Sequence, residues 1–262
     1  MEDQDQGKRP KGLKKPRIKS GGITEFAFDG LDIAADVVSK FGPQGDLLAM
    51  FTATKGAKVN KWHHYLPIYD RYFGPWRHRP LRFLEIGVAK GGSLSMWRRY
   101  FGPEAVIFGV DINPDCARFN GVDGQVRIGS QDSPAFLQSV VAEMGGVDVV
   151  LDDGSHQMAH IRATLDILFP LLSLGGTYMI EDLHTAYWAK FGGGLDATAN
   201  FFNFIRAAVD DLHHWYHAQP PYHPEIAPFL TGIHLHDSIV VLDKAPVFRP
   251  TYSAVGPRPK RR

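Results

Sequence analysis

From Leu81 onward the chain alternates short runs rich in Val and Ile with longer amphipathic stretches, and the short runs end on Gly or an acid. A short apolar run without polar alternation reads as a strand buried on both faces. A helix-length stretch between two such runs is the crossover a parallel sheet requires. The runs that predict strands are Arg82–Ile86, Ala105–Val110, Val126–Ile128, Val147–Leu151 and Thr177–Ile180, with helices over Leu94–Phe101, Pro134–Met144 and Ala159–Leu172 between them. A long helix over Ala199–His217 follows, with Phe201, Phe204, Ile205, Ala208, Leu212 and Trp215 on its buried face. The last two runs, Gly232–Leu235 and Ser238–Leu242, are separated only by His236 and Asp237. So short a link holds no crossover helix, and these two strands must pair antiparallel. The expected fold is α/β: a doubly wound, Rossmann-like sheet of five parallel strands closed by an antiparallel C-terminal hairpin.

A length of 262 residues, 44% of them hydrophobic, is enough to bury a large core. The formal net charge of +1 is a sum over unlike parts. Residues 1–20 carry seven Lys/Arg against three acids and residues 249–262 carry five against none, which leaves 17 bases and 25 acids, a net of −8, for residues 21–248. An acidic body argues against a broad nucleic-acid face and leaves open carboxylates gathered around a cation. The single cysteine, Cys116, excludes a disulfide framework and a Cys-based zinc site. No apolar run reaches the roughly 18 residues of a membrane span, and no apolar leader follows the N-terminal bases, so a cytoplasmic protein is expected. The expected organisation is a basic tail at 1–20, a helical lead-in at 21–78, the sheet domain at 79–248 and a basic tail at 249–262. Within the lead-in, Leu31–Phe41 and Trp62–Phe73 are amphipathic, with Tyr65, Ile68, Tyr69 and Phe73 at helical spacing.

Leu84 to Ser93, with Gly87, Gly91 and Gly92, runs from a strand through a glycine turn into a helix. Glycines there let a ligand approach the backbone at a helix N-terminus, although an ordinary strand-to-helix turn has the same composition. The spacing G-x-x-x-G-G departs from the dinucleotide pattern G-x-G-x-x-G, which argues against a nicotinamide cofactor. Glu85 sits where a nucleoside site of the methyl-donor type places an acid toward the cofactor's amino group. Asp111, ending the second strand, is placed to accept ribose hydroxyls, and Ser130, Gln131 and Asp132 follow the third strand, where an adenine amino group would lie. Each of these taken singly reads equally as a loop-capping group. Three in phase at the C-terminal ends of consecutive strands favour a ligand, because open α/β sheets bind there.

The sharpest signal is Leu151-Asp152-Asp153-Gly154-Ser155-His156 together with Ile180-Glu181-Asp182 after the next strand. Four carboxylates at neighbouring strand ends repel one another unless a cation joins them. Asp153, Glu181 and Asp182 supply hard oxygens suited to Mg²⁺. Neighbouring residues of an extended chain point opposite ways, so Asp152 can serve the cofactor while Asp153 serves the metal. His156, past a glycine that permits a tight turn, is placed as a general base beside the metal. The competing reading is that these acids cap the following helices and His156 is an ordinary loop histidine. His63, His64, His184, His213, His214, His217 and His223 either line a substrate cleft or lie on helix faces. Trp62, Tyr65, Tyr187 and Trp188 are either packing residues or a flat wall for a sugar ring.

At these residues the chain resembles the class I S-adenosylmethionine-dependent methyltransferases, and among them the Mg²⁺-dependent sugar O-methyltransferases of macrolide deoxysugars and of actinobacterial mannose or rhamnose units. The matching segments are Asn60 to Tyr65, Leu84 to Trp97, Gly109 to Pro114, Asp152 to His156 and Ile180 to Trp188. The resemblance implies S-adenosylmethionine held by Glu85, Gly87, Gly91, Ser93, Asp111, Gln131, Asp132 and Asp152. It also implies Mg²⁺ on Asp153, Glu181 and Asp182, and His156 as base. The resemblance does not extend to the large N-terminal domain of the macrolide enzymes, so their substrate and tetramer contacts are not expected to carry over. The expected partner is a small-molecule or oligosaccharide acceptor, with no nucleic acid and no membrane span, and a homo-oligomer, plausibly a dimer, is expected from aromatic residues in the lead-in. Two other readings stay open: a catechol or phenolic O-methyltransferase using the same metal logic, and a non-catalytic cofactor-binding scaffold whose basic ends contact acidic partners.

Overall fold

In the computed structural model of the protein, residues 26–256 are described. The expected basic tail at 1–20 lies outside the described residues, as do residues 257–262 of the tail expected at 249–262. Three helices come first: α1 (Ile33–Phe41), α2 (Asp46–Thr52) and α3 (Tyr65–Phe73). The alternating part follows as β1 (Arg82–Ile86), α4 (Gly92–Phe101), β2 (Val106–Asp111), β3 (Gln125–Ile128), α5 (Pro134–Met144), β4 (Val147–Asp152), α6 (Met158–Leu171) and β5 (Leu172–Ile180). The chain then forms α7 (Phe201–Leu212), β6 (Leu230–His236) and β7 (Ile239–Lys244).

One seven-stranded sheet runs in the order β3-β2-β1-β4-β5-β7-β6. The first five strands are parallel, β7 is antiparallel to β5, and β6 pairs antiparallel with β7. This is the α/β sheet expected from the Val/Ile runs, with the hairpin inserted so that β7, not β6, meets β5. Burial explains that order: Ile239, Val240, Val241 and Leu242 are all inaccessible, while on β6 Leu235 is exposed. The continuously apolar strand therefore takes the interior place and the alternating one the edge.

Each face of the sheet has its own core. On one side Leu84, Val110, Val150 and Ile180 pack with Leu137 of α5, Leu165 of α6 and Ile205 of α7. On the other, Phe83, Val149, Leu151 and Val241 pack with Trp97 and Phe101 of α4 and with Tyr65, Tyr69 and Phe73 of α3. Two expectations need correction. The spacing did not reveal α2, whose Gly45 N-cap makes no side-chain hydrogen bond. The helix expected to reach His217 stops at Leu212, and Trp215 is 42% exposed. Its place on the buried face is taken by Asp211, whose carboxylate turns inward to accept from the backbone N–H groups of Tyr222 and His223.

Candidate active site

The sheet order reverses beside β1, so the loops leaving β1 and β4 part at the crevice where open α/β sheets hold ligands. The turn after β1 is tight: Gly91 N–H donates to Val88 O at 2.8 Å, with Gly87 at φ +96° and Gly91 at φ +76°. Both glycines are sterically required. A β-carbon on Gly87 would overlap the Asp153 carbonyl oxygen, and one on Gly91 would stand 2.6 Å from the Phe119 ring. Asp111 pins the turn from β2, its Oδ2 accepting from Val88 and Ala89 N–H at 2.9 Å each and its Oδ1 from Asn113 N–H at 2.8 Å. Burial alone would raise the Asp111 carboxyl, but the N–H groups of Ala89, Asn113 and Val88 outweigh it and hold the group below its ordinary range.

Several residues expected to touch a cofactor are engaged within the protein. The Glu85 carboxylate is inaccessible and accepts from Ser93 Oγ at 2.8 Å and Trp97 Nε1 at 3.0 Å, so Glu85 and Ser93 brace the glycine turn from beneath. Burial pushes the Glu85 carboxyl up to about 7. Gln131 is also buried and fully used: Oε1 accepts from Ser155 N–H at 2.8 Å, and Nε2 donates to Thr164 Oγ1 at 2.9 Å and leans on Asp152 Oδ1 at 3.4 Å. Asp132 lies at the rim, bonded to Ser130 Oγ.

Asp152 and Asp153 separate across the sheet as strand alternation requires. Asp152, 1% exposed, faces Gln131, and its Oδ2 has no hydrogen-bond partner among the described residues. Burial pushes its carboxyl up to about 7. An orphaned, buried carboxylate oxygen beside a glycine turn fits a ligand that brings a donor or a positive charge.

On the opposite side, ligand-capable atoms of Asp153, His156 and Asp182 lie within 4.8 Å of one another. His156 Nε2 stands 3.7 Å from Asp153 Oδ1 and 3.7 Å from Asp182 Oδ2. The two carboxylates offer oxygen donors suited to a hard divalent ion, with the imidazole beside them. His156 and Asp182 both adopt positive φ, 56° and 59°, and Ala89 in the glycine turn has 48°. Left-handed non-glycine residues cost energy, and three of the five in the described chain border this site.

Glu181, the third residue of the expected metal set with Asp153 and Asp182, is joined to Asp153 through Lys61. Both of its oxygens are taken by the lead-in: Lys61 Nζ bonds Oε1 and the Tyr69 hydroxyl bonds Oε2. Lys61 also reaches Asp153 Oδ2 at 2.7 Å. Asp182 is tethered from the same segment, its Oδ1 accepting from the Tyr65 hydroxyl at 2.8 Å and from Trp62 Nε1 at 3.1 Å. Sequence reasoning missed Lys61 and Tyr69, and read Trp62 and Tyr65 as wall or packing residues. No spacing rule links residue 61 to residues 153 and 181. The one available signal was that Lys61, Trp62 and Tyr65 fall within Asn60 to Tyr65, one of the segments that carried the resemblance; Tyr69 lies beyond it.

A cavity of 810 Å³ opens over the acids, walled by Phe26, Phe28, Trp62 and His63. Of the other histidines, His213 and His217 bond the carbonyls of Val209 and Asp210, and His223 bonds Asp211, so helical metal spacing at 213 and 217 has a structural explanation. Tyr187 stacks on Phe202 and Trp188 packs edge-on to His184.

Comparison with known proteins matches residues 84–183 to a methyltransferase domain family. The chain is 39% identical over 216 residues to the 8-demethyl-8-(2-methoxy-alpha-L-rhamnosyl)-tetracenomycin-C 3'-O-methyltransferase of Streptomyces olivaceus, a match covering 76% of this chain and 54% of the relative. It is 34% identical to the mycinamicin VI 2''-O-methyltransferase of Micromonospora griseorubida, over 70% of this chain and 48% of that protein. Among solved structures, the mycinamycin-pathway methyltransferase MycE in complex with Mg, SAH and mycinamycin VI superposes with a TM-score of 0.71 at 30% identity, covering 83% of this chain and 58% of that one. The chain thus spans about half the length of the curated relatives it matches.

Proposed function

Because this chain belongs to the class I S-adenosylmethionine-dependent methyltransferases, we propose that it transfers a methyl group from S-adenosylmethionine to a sugar hydroxyl in a Mg²⁺-dependent reaction. The acceptor sugar belongs to a glycosylated small molecule or to a mannose- or rhamnose-containing oligosaccharide. The observation that carries this reading is the meeting of Asp153, His156 and Asp182 on the strand edge that also bears the glycine turn. The names of the similar proteins, which act on rhamnosyl tetracenomycin and mycinamicin, and the Mg and SAH in the MycE complex support it.

In this reading Gly87 and Gly91 leave the backbone open to the donor, while Asp111 and Asp152 offer it their free lone pairs. Glu85 and Ser93 stabilise the turn from beneath, and Gln131 and Asp132 shape the adenine end. Asp153, Glu181 and Asp182 would hold the metal, Glu181 once Lys61 releases it. Bound there, Mg²⁺ supplies a Lewis acid that eases ionisation of the acceptor hydroxyl. His156 takes the proton at Nε2, which both neighbouring carboxylates face. Phe26, Phe28 and Trp62 keep water from the acceptor and offer its ring a flat apolar wall. Since the donor is already activated, much of the acceleration comes from holding hydroxyl and methyl in line.

No described helix is long and apolar enough to cross a membrane, and a cytoplasmic enzyme fits this reading. So does a dimer through the lead-in, where Leu31, Val38 and Phe41 are exposed. The test is incubation with labelled S-adenosylmethionine, Mg²⁺ and a panel of deoxysugar glycosides, mannosides and catechols. Label should enter a glycoside, disappear with EDTA and return with Mg²⁺. Transfer only to catechols would make the enzyme a phenolic methyltransferase, and donor binding without transfer to any acceptor would make the protein a scaffold.

A further inference from the structure

The lead-in places a lysine where the reaction calls for a metal. The Lys61 side chain is 2% exposed, and its ammonium bridges Asp153 Oδ2 and Glu181 Oε1. Glu85 acts on it through space, and its Nζ lies 5.6 Å from the centre of the Tyr69 ring. A lysine is rarely buried without paired acids, because desolvating an ammonium is costly. Here the pairing is with the two strand-end positions whose mutual repulsion a divalent ion would otherwise relieve. The arrangement divides the acids. Glu181 is consumed by Lys61 and Tyr69, and Asp153 gives one oxygen to Lys61 and keeps Oδ1 facing His156. Asp182, held by Tyr65 and Trp62, stays free of the lysine.

We propose that Lys61 is the resident counter-ion of the metal site, competing with the divalent ion for Glu181 and Asp153 and so keeping metal binding weak and exchangeable. The inference rests on the proposed metal centre and adds to it a residue that sets its affinity. Two physical reasons support it. The ammonium lies within hydrogen-bonding distance of two of the three expected ligands, so an incoming cation meets both a like charge and occupied oxygens. Lys61 also comes from the lead-in and not from a strand, so it can withdraw without breaking the sheet. Its role is positional: it holds the acids apart and paired, and takes no part in methyl transfer.

The test reads metal binding without turnover. The free Mn²⁺ resonance signal is followed as purified protein is titrated, for the wild type, Lys61→Gln and Lys61→Arg. The glutamine keeps hydrogen-bond donors but removes the charge; it should tighten Mn²⁺ at least tenfold. The arginine keeps the charge and should stay within about threefold of the wild type. Thermal melts should show a larger stabilisation by Mg²⁺ in Lys61→Gln than in the wild type. Equal or weaker Mn²⁺ binding in Lys61→Gln overturns the proposal. So does a Lys61→Gln chain that stays unfolded in millimolar Mg²⁺, because the divalent ion must be able to take over the counter-charge. A wild type that binds no Mn²⁺ would instead remove the metal centre itself, and the two failures are distinct.

Discussion

Gly87 lies directly against the backbone of Asp153: a β-carbon there would overlap the Asp153 carbonyl oxygen, while Asp153 N–H donates to Ile86 O at 2.9 Å. The glycine turn and the acid loop are therefore one unit, and whatever binds the first is sensed by the second. Gly87→Ala must relax both a left-handed φ and this overlap. It should cost about 2–3 kcal/mol and lower the melting temperature by roughly 5–10 °C. Calorimetry with S-adenosylhomocysteine should show binding lost or much weakened. An unchanged melt would show that the two loops can part freely.

His156 places its Nε2 3.7 Å from both Asp153 Oδ1 and Asp182 Oδ2, between the two acids of the proposed metal site. His156→Ala should lower kcat by about 10²–10⁴ while S-adenosylhomocysteine affinity stays within a few fold. Full activity in this variant would assign the base elsewhere.

Asp152 couples stability to pH. Its folded carboxyl keeps its proton up to about pH 7 because it is buried, whereas the unfolded carboxyl loses it near pH 4. Between those values the folded state binds the extra proton, so this group's contribution is greatest below about pH 4, declines as pH rises, and is level above about pH 7. Asp152→Asn removes that decline. Relative to the wild type, the variant should gain stability from pH 5 to pH 8 by about 2.5–3 kcal/mol at most, read as urea midpoints across the range. Parallel midpoint curves for the two proteins would mean that Asp152 ionises normally.

What was legible in the chain was whatever depends on local pattern. Val147–Leu151 and Thr177–Ile180 are apolar runs each followed by acids, so strand, edge and carboxylate were read together, and the alternation that splits Asp152 from Asp153 followed. What was hidden depends on contacts between distant segments. Lys61, Tyr65 and Tyr69 reach residues more than ninety positions away, and nothing in their own neighbourhood says so. Glu85 lies in β1 and Gln131 in the loop after β3, as read, but sequence cannot show that Trp97, Ser93 and Thr164 bond their side chains. The early end of α7 has the same origin: the long-range partners of Asp211 override its place in the helical period.

Asp211 gives a control that separates stability from chemistry. It is 1% exposed and accepts from His223 Nδ1 at 2.6 Å besides two backbone N–H groups, and none of its contacts reaches the strand-end acids. Asp211→Ala removes the acceptor of three part-buried donors and should cost about 2–3 kcal/mol, a drop of roughly 5–10 °C in melting temperature. Activity per folded molecule, measured well below the melt, should be unchanged. A selective loss of turnover would tie this corner to the acceptor site.

Asp182 owes its orientation to Tyr65 and Trp62, which both donate to Oδ1 and leave Oδ2 toward His156. Partners behind a ligand commonly govern metal affinity by ten- to a hundredfold, because they hold the oxygen in place before the ion arrives. Tyr65→Phe removes the shorter of the two bonds while leaving a ring of nearly the same volume in the core between α3 and the sheet. It should weaken Mn²⁺ binding about tenfold with little change in the melt, the opposite sign to that expected for Lys61→Gln. The opposition follows from geometry: the tyrosine steadies an oxygen that the metal uses, and the lysine withholds oxygens that it would use. If Tyr65→Phe tightened the metal instead, the hydroxyl would be competing for Asp182 as the lysine competes for Glu181.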